Sequence, residues 1–97
     1  MLTLKQITEK HYAWVERMGW HKSTTKVLEL LALVASEVGE AVNECRGEKP
    51  TEALGSELAD IILRVCDLAK LQGIDIEEEI ERKMVANEQR GNKGRVI

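Results

Sequence analysis

The sequence has no phenylalanine, a single proline, and only three aromatic side chains, Tyr12, Trp14 and Trp20. That scarcity disfavours an all-β fold, which is built on aromatic and β-branched strands cut by frequent turns. Long apolar runs are missing too. The richest one, Val27 to Val42, is interrupted by Glu29, Ser36, Glu37 and Glu40, so nothing approaches the roughly 18 apolar residues of a membrane span. Lys5, Glu9, Lys10 and Glu16 stand where a secretory signal would place its apolar segment, and none is expected. Cysteine is confined to Cys45 and Cys66, without CxxC spacing, which excludes a disulfide scaffold and a zinc site and leaves buried, reduced thiols as the expectation. A basic stripe is also absent. With a net charge of −3 the chain is not expected to bind nucleic acid generally. Only Lys83, Arg90, Lys93 and Arg95 form a basic cluster, adequate for one multiply charged small molecule. What is present, in 97 residues of which 32% are charged, is one small soluble helical domain spanning the whole chain, expected in the cytoplasm.

Four helices can be read. The first runs from about Thr3 to Met18, with Leu4, Ile7, His11, Trp14, Val15 and Met18 at three- and four-residue steps, and Gly19 as its stop. In it Trp14 is expected to anchor the core. The second starts near Ser23 or Thr24, both good N-caps, and runs to Arg46 before Gly47. The third follows Pro50 and Thr51 and extends to Gln72 before Gly73. The fourth opens at Asp75, with Glu78 at capping-box spacing, and reaches about Gln89 before Gly91. The tail from Gly91 to Ile97 is expected to be mobile until something binds it.

Short connections make antiparallel neighbours, so the second and third helices should form the central hairpin of a four-helix bundle protomer. In that hairpin Cys45 and Cys66 fall roughly 20 Å apart and cannot bridge within one chain. On the second helix Leu28, Leu31, Val34, Ala35, Val38, Ala41, Val42 and Cys45 spread over roughly half of the circumference. One protomer cannot cover all of that. Association through helix faces into a homodimer or a dimer of dimers is therefore expected.

The informative feature is a pair of acidic motifs, Glu37-Val38-Gly39-Glu40 and Glu57-Leu58-Ala59-Asp60. Their i, i+3 spacing puts both carboxylates of each pair on one helix face. An antiparallel hairpin can face the two pairs into a four-carboxylate cage. Such a cage repels itself unless a divalent cation occupies it, and all-oxygen ligation suits Mg²⁺ or Mn²⁺. Glu44, a turn beyond Glu40, could extend the cage. Acidic pairs at this spacing are also common on solvated helix faces. Against that reading, Glu37 falls beside Leu30, Leu33 and Ala41, and Glu57 beside Ile61, Leu68 and Leu71, at the border of the apolar arcs, where a lone carboxylate is costly. Arg64, on nearly the same face as Glu57 and Asp60, could neutralise them in a salt bridge or meet a phosphate. The histidines do not suggest a di-iron bundle, since the residues three before His11 and His21 are Thr8 and Met18 and no Glu-x-x-His exists.

The ExxE and ExxD pair, in the setting "LALVASEVGEAVNECRG" and "ELADIILRV", closely resembles the MazG-like members of the all-α NTP pyrophosphohydrolase superfamily. The resemblance covers roughly Trp20 to Arg90. It includes "ERKMVANEQR", where Lys83, Asn87 and Arg90 are similar to the family's KxxxNxxR signature. Ser36 departs from the many relatives that carry a second consecutive glutamate there.

The resemblance implies an enzyme that hydrolyses a nucleoside triphosphate between the α and β phosphates, with Mg²⁺ as cofactor and Mn²⁺ as a possible substitute. By resemblance Glu37, Glu40, Glu57 and Asp60 are the metal ligands and catalytic acids. Lys83 and Arg90 would clamp the β and γ phosphates, with Asn87 as hydrogen-bond partner. Read from the residues themselves, Trp20 and His21 make a candidate base pocket in a helix connection, with Lys22 or Ser23 at the polar edge of the base. The implied role is house-cleaning of deoxy or non-canonical nucleotides. Alternatives are a phosphoribosyl-ATP pyrophosphohydrolase and a non-catalytic helical module for dimerisation or nucleotide sensing.

Overall fold

A computed structural model describes residues 1–22 and 24–91. Ser23, and Lys93 and Arg95 with the rest of the tail beyond Gly91, lie outside the described residues. The described chain holds four helices and no strand: α1 (Leu4–Arg17), α2 (Val27–Asn43), α3 (Leu54–Leu71) and α4 (Ile76–Arg90).

Local chemistry sets most of the ends. Thr3 caps α1 in a reciprocal box, its Oγ1 accepting from Gln6 N at 3.1 Å while Thr3 N donates to Gln6 Oε1 at 2.8 Å. Asp75 Oδ1 accepts from Glu78 N at 3.1 Å and opens α4. Gly19 and Gly73 close α1 and α3 at φ +68° and +69°. In both turns the residue after the glycine reaches back, Trp20 N to the Val15 carbonyl at 3.2 Å and Ile74 N to the Ala69 carbonyl at 2.8 Å. This double closure needs the left-handed backbone that glycine adopts without strain.

α2 is shorter than the sequence suggests, for two local reasons. Thr25 Oγ1 accepts from Lys22 N at 3.0 Å, and Thr25 N donates to the Lys22 carbonyl at 2.9 Å. That turn holds the chain out of helix until Lys26, and Thr24 caps nothing among the described residues. At the far end Thr51 folds back, donating its N–H to the Glu44 carbonyl at 2.9 Å and its hydroxyl to Glu44 Oε1. The helix therefore ends at Asn43 and not at Arg46. Cys45 lies past that end and is exposed, contrary to the expectation of a buried thiol, while Cys66 on α3 is buried; both are free.

α3 is the hub. It packs most extensively against α2, then against α1, and its end meets the start of α4, whereas the backbones of α2 and α4 nowhere approach within 8 Å. The protomer is thus all-α with four helices, but a single chain does not close them into a bundle. Pairing of Glu44 with Thr51, Glu40 with Glu57 and Glu37 with Arg64 shows that α2 and α3 run antiparallel. The core is small: Val15, Leu30, Ala41, Cys66 and Ala69, with Val15 and Cys66 fully enclosed, and α4 buries no residue. Trp14 is not in it. It stays more than a third exposed and stacks on His11 with ring centres 5.8 Å apart, because Val15 takes the inward position on α1.

Candidate active site

The hairpin brings three of the four expected acids together. Glu37 and Glu40, one turn apart on α2, and Glu57, from the first turn of α3, each offer a carboxylate oxygen within 4.8 Å of the other two. Glu40 is exposed and the other two are half-buried. Glu37 Oε2 and Glu57 Oε2 are both shut off from solvent without a hydrogen-bond partner. Desolvation holds the Glu57 carboxyl above the usual carboxylate range, with further upward pushes from a hydrogen bond to Glu40 and from the charges of Glu40, Asp60 and Glu37. The cluster is thus short of positive charge, and orphaned buried oxygens are what a cation-binding site leaves when only protein is counted.

Asp60 stands outside this trio. It lines the adjoining cleft of about 240 Å³ together with Glu37, Trp20, His11, Arg64 and Asp67. Glu44 does not extend the cluster, because its carboxylate is taken by Thr51. Arg64 Nε lies 3.5 Å from Glu37 Oε1, and its guanidinium carbon sits 5.4 Å from the centre of the Trp20 ring. Trp20 in turn meets Trp14 edge to face at 4.7 Å. The cleft is therefore lined by carboxylates, one arginine and an aromatic ring.

His21 takes a different place from the one expected of a base-pocket residue. Its Nε2 lies 2.8 Å from Asp67 Oδ2, close enough for an ion pair but without hydrogen-bond alignment, and Tyr12 packs against the ring at 5.9 Å between centres. The contact pins the connector that carries Trp20 to α3. Burial, then a hydrogen bond donated to Glu16 and the charges of Glu16 and Asp67, push the Tyr12 hydroxyl up. Asp67, only 4% exposed, lines the cleft and was not among the residues expected there. The available signal was its spacing: Asp60, Arg64 and Asp67 fall at i, i+4, i+7, one stripe of α3.

Lys83, Asn87 and Arg90 also share one stripe, on α4, with Arg90 Nη2 donating to Asn87 Oδ1 at 3.4 Å. All three are exposed. No Cα of their helix comes within 8 Å of one of α2, and among the described residues no ion pair joins the stripe to the acids.

The profile of the MazG nucleotide pyrophosphohydrolase domain matches residues 25–94, well over half of the chain, and takes in α2, α3 and α4 with both acidic motifs. The chain belongs to the MazG family. Nucleotide pyrophosphohydrolysis is accordingly the activity this MazG domain implies, and a divalent metal the cofactor that its acidic cluster fits. No curated protein and no solved structure shows a significant match to the chain. No described helix of the MazG chain is long and apolar enough to cross a membrane.

Proposed function

We propose that this MazG domain is a Mg²⁺-dependent nucleoside triphosphate pyrophosphohydrolase of the cytoplasm. It cleaves deoxy or non-canonical nucleoside triphosphates to the monophosphate and pyrophosphate, in a house-cleaning role. The observation that carries the reading is the carboxylate trio with two orphaned buried oxygens, whose Glu37 also lines a cleft shared with Trp20. Glu37, Glu40 and Glu57 would hold a hard divalent cation, Mg²⁺ or Mn²⁺, with Asp60 joining from the cleft side. A cation of that kind supplies neutralisation of triphosphate charge and activation of water. The protein's own share is orientation. The antiparallel hairpin fixes the acids on two rigid helices, and Trp20 offers an exposed face on which a base can stack.

A second copy of the chain is part of this proposal. Leu28, Leu31, Val38 and Val42 lie on one face of α2 and are all exposed, as are Leu58 and Ile62 on α3. Association as a homodimer or a dimer of dimers covers that face.

The deciding experiment is a pyrophosphate-release assay over standard and damaged nucleoside triphosphates, with and without Mg²⁺. Metal-dependent release of one pyrophosphate per monophosphate is expected, and the rate profile names the base. Turnover only of phosphoribosyl-ATP would move the chain to the biosynthetic branch; no turnover at all would leave a helical binding module.

The α4 stripe has its own test. Lys83, Asn87 and Arg90 can meet phosphates held at α2 only if α4 closes on the cleft or a second copy supplies it. If the stripe grips the terminal phosphates, Arg90→Ala weakens triphosphate binding about tenfold and leaves monophosphate binding nearly unchanged. Equal losses in calorimetric titrations of the two would take Arg90 off the terminal phosphates.

A further inference from the structure

Among the described residues, the cleft between the acids and Trp20 contains one permanently charged cation, Arg64. Its position is specific. Nε lies 3.5 Å from Glu37 Oε1, and the guanidinium carbon lies 5.4 Å from the Trp20 ring centre. The pair with Glu37 is long for a charge-assisted bond, which runs at about 2.7–2.9 Å. Among the described residues the Arg64 side chain donates no hydrogen bond, although it is only 29% exposed. An arginine that is largely sheltered, loosely paired and rich in unused donors is poised for a ligand with planar or paired oxygens.

The other side of the pair points the same way. Glu37 is shared between Arg64 and the acidic trio, its Oε2 turned to no partner and its Oε1 towards the guanidinium. When the trio takes a divalent cation, Glu37 has a stronger partner and the claim of Arg64 on it weakens. The guanidinium is then free for another anion at the same spot, within reach of both Glu37 and the Trp20 ring. A nucleotide whose phosphates run to the acids and whose base reaches Trp20 places there the phosphate next to the sugar.

We propose that Arg64 is the phosphate-contacting cation of this cleft, exchanging Glu37 for a non-bridging oxygen of the sugar-proximal phosphate. The assignment rests on the pyrophosphohydrolase reading above. It adds to it a residue from the hairpin itself, on the reacting phosphate and distinct from the α4 stripe.

The test separates metal from phosphate. Binding of Mg²⁺ alone, and of an α,β-methylene deoxynucleoside triphosphate with each of the four bases at saturating Mg²⁺, is measured by calorimetry on the parent protein, Arg64→Ala and Arg64→Lys. The same is done with the deoxynucleoside monophosphates. Arg64→Ala is expected to weaken the triphosphate analogue and the monophosphate alike, about tenfold or more, because both carry the sugar-proximal phosphate. Binding of Mg²⁺ alone stays equal or tightens, since Glu37 loses a competing cation. Arg64→Lys keeps the charge without the planar fork and is expected between the two; it also serves the test if Arg64→Ala does not fold. Analogue affinities within twofold of the parent overturn the assignment. So does a joint loss of Mg²⁺ and analogue, which marks Arg64 as a brace for Glu37. A parent protein that binds Mg²⁺ but no nucleotide of any base overturns the pyrophosphohydrolase reading and the Arg64 assignment with it.

Discussion

Glu40→Gln is expected to reduce pyrophosphate release to roughly one-thousandth of the parent rate or less, the upper end of what loss of one well-placed charged or polar group costs, while helix content stays as it was. Glu40 is the exposed member of the acidic trio, so the amide costs the fold almost nothing, surface changes of this kind staying within about 0.5 kcal/mol. The same position is one of the three carboxylates that, among the described residues, converge with oxygens within 4.8 Å of one another. Glutamine keeps the shape and one neutral oxygen but removes a full charge from a site that must hold a divalent cation against water. Far-UV circular dichroism beside the release assay separates the two effects. Undiminished turnover in a folded Glu40→Gln protein would remove this residue from the mechanism.

The second large effect is on stability, and its sign depends on metal. Burial and the neighbouring carboxylates hold Glu57 above the ordinary glutamate range in the metal-free protein. The folded state therefore binds the Glu57 proton more tightly than the unfolded chain does. Between the unfolded value, near 4.3–4.5, and the raised folded value, the folded state carries more protons, and stability falls as pH rises through that window. With a divalent cation the order inverts. The cation prefers the ionised trio, so its contribution grows as pH rises. At a hundred times its dissociation constant it adds about 2.7 kcal/mol, roughly 10–20 °C in melting midpoint for a domain of this size. Melting curves of the parent and Glu57→Gln, in chelator and in excess Mg²⁺ from acid to neutral pH, read this directly. In chelator the variant should gain on the parent as pH rises; in Mg²⁺ it should lose. The same pH slope with and without metal would sink the cage. A response to Mg²⁺ no larger than that to matched ionic strength would do the same.

Helix ends that depend on a few neighbouring residues were legible. Thr3 with Gln6, Asp75 with Glu78, and the glycines at 19 and 73 act through hydrogen bonds spanning three to five residues, as local sequence alone dictates. The ends of α2 were not. Both are settled by hydroxyls from outside the helix, Thr25 drawing in Lys22 and Thr51 returning across the loop to Glu44. Within the site the acidic spacing was legible because i, i+3 carboxylates share a face in any α-helix. The company those acids keep was not. That Arg64 reaches both Glu37 and Trp20, and that Asp67 lies 2.8 Å from His21, depends on how three separate segments meet.

Four helices, the locally capped ends of α1, α3 and α4, the two acidic pairs and an apolar surplus on α2 are therefore properties of the sequence by itself, each resting on a period or a cap only a few residues long. The tertiary structure alone decided which side of α2 turns inward. That helix is apolar around much of its circumference, so periodicity cannot choose. In the fold Leu30, Ala41 and the shielded oxygen of Glu37 face inward, while Leu28, Leu31, Val38 and Val42 are left in solvent. Packing against α3 made the choice through burial of Leu30 and the close approach that small Ala41 admits, and it brings Glu37 and Glu40 to Glu57 against their mutual repulsion. On α1, packing against α3 likewise chose Val15 for the core and left Trp14 outside it, and no Cα of α4 comes within 8 Å of one of α2.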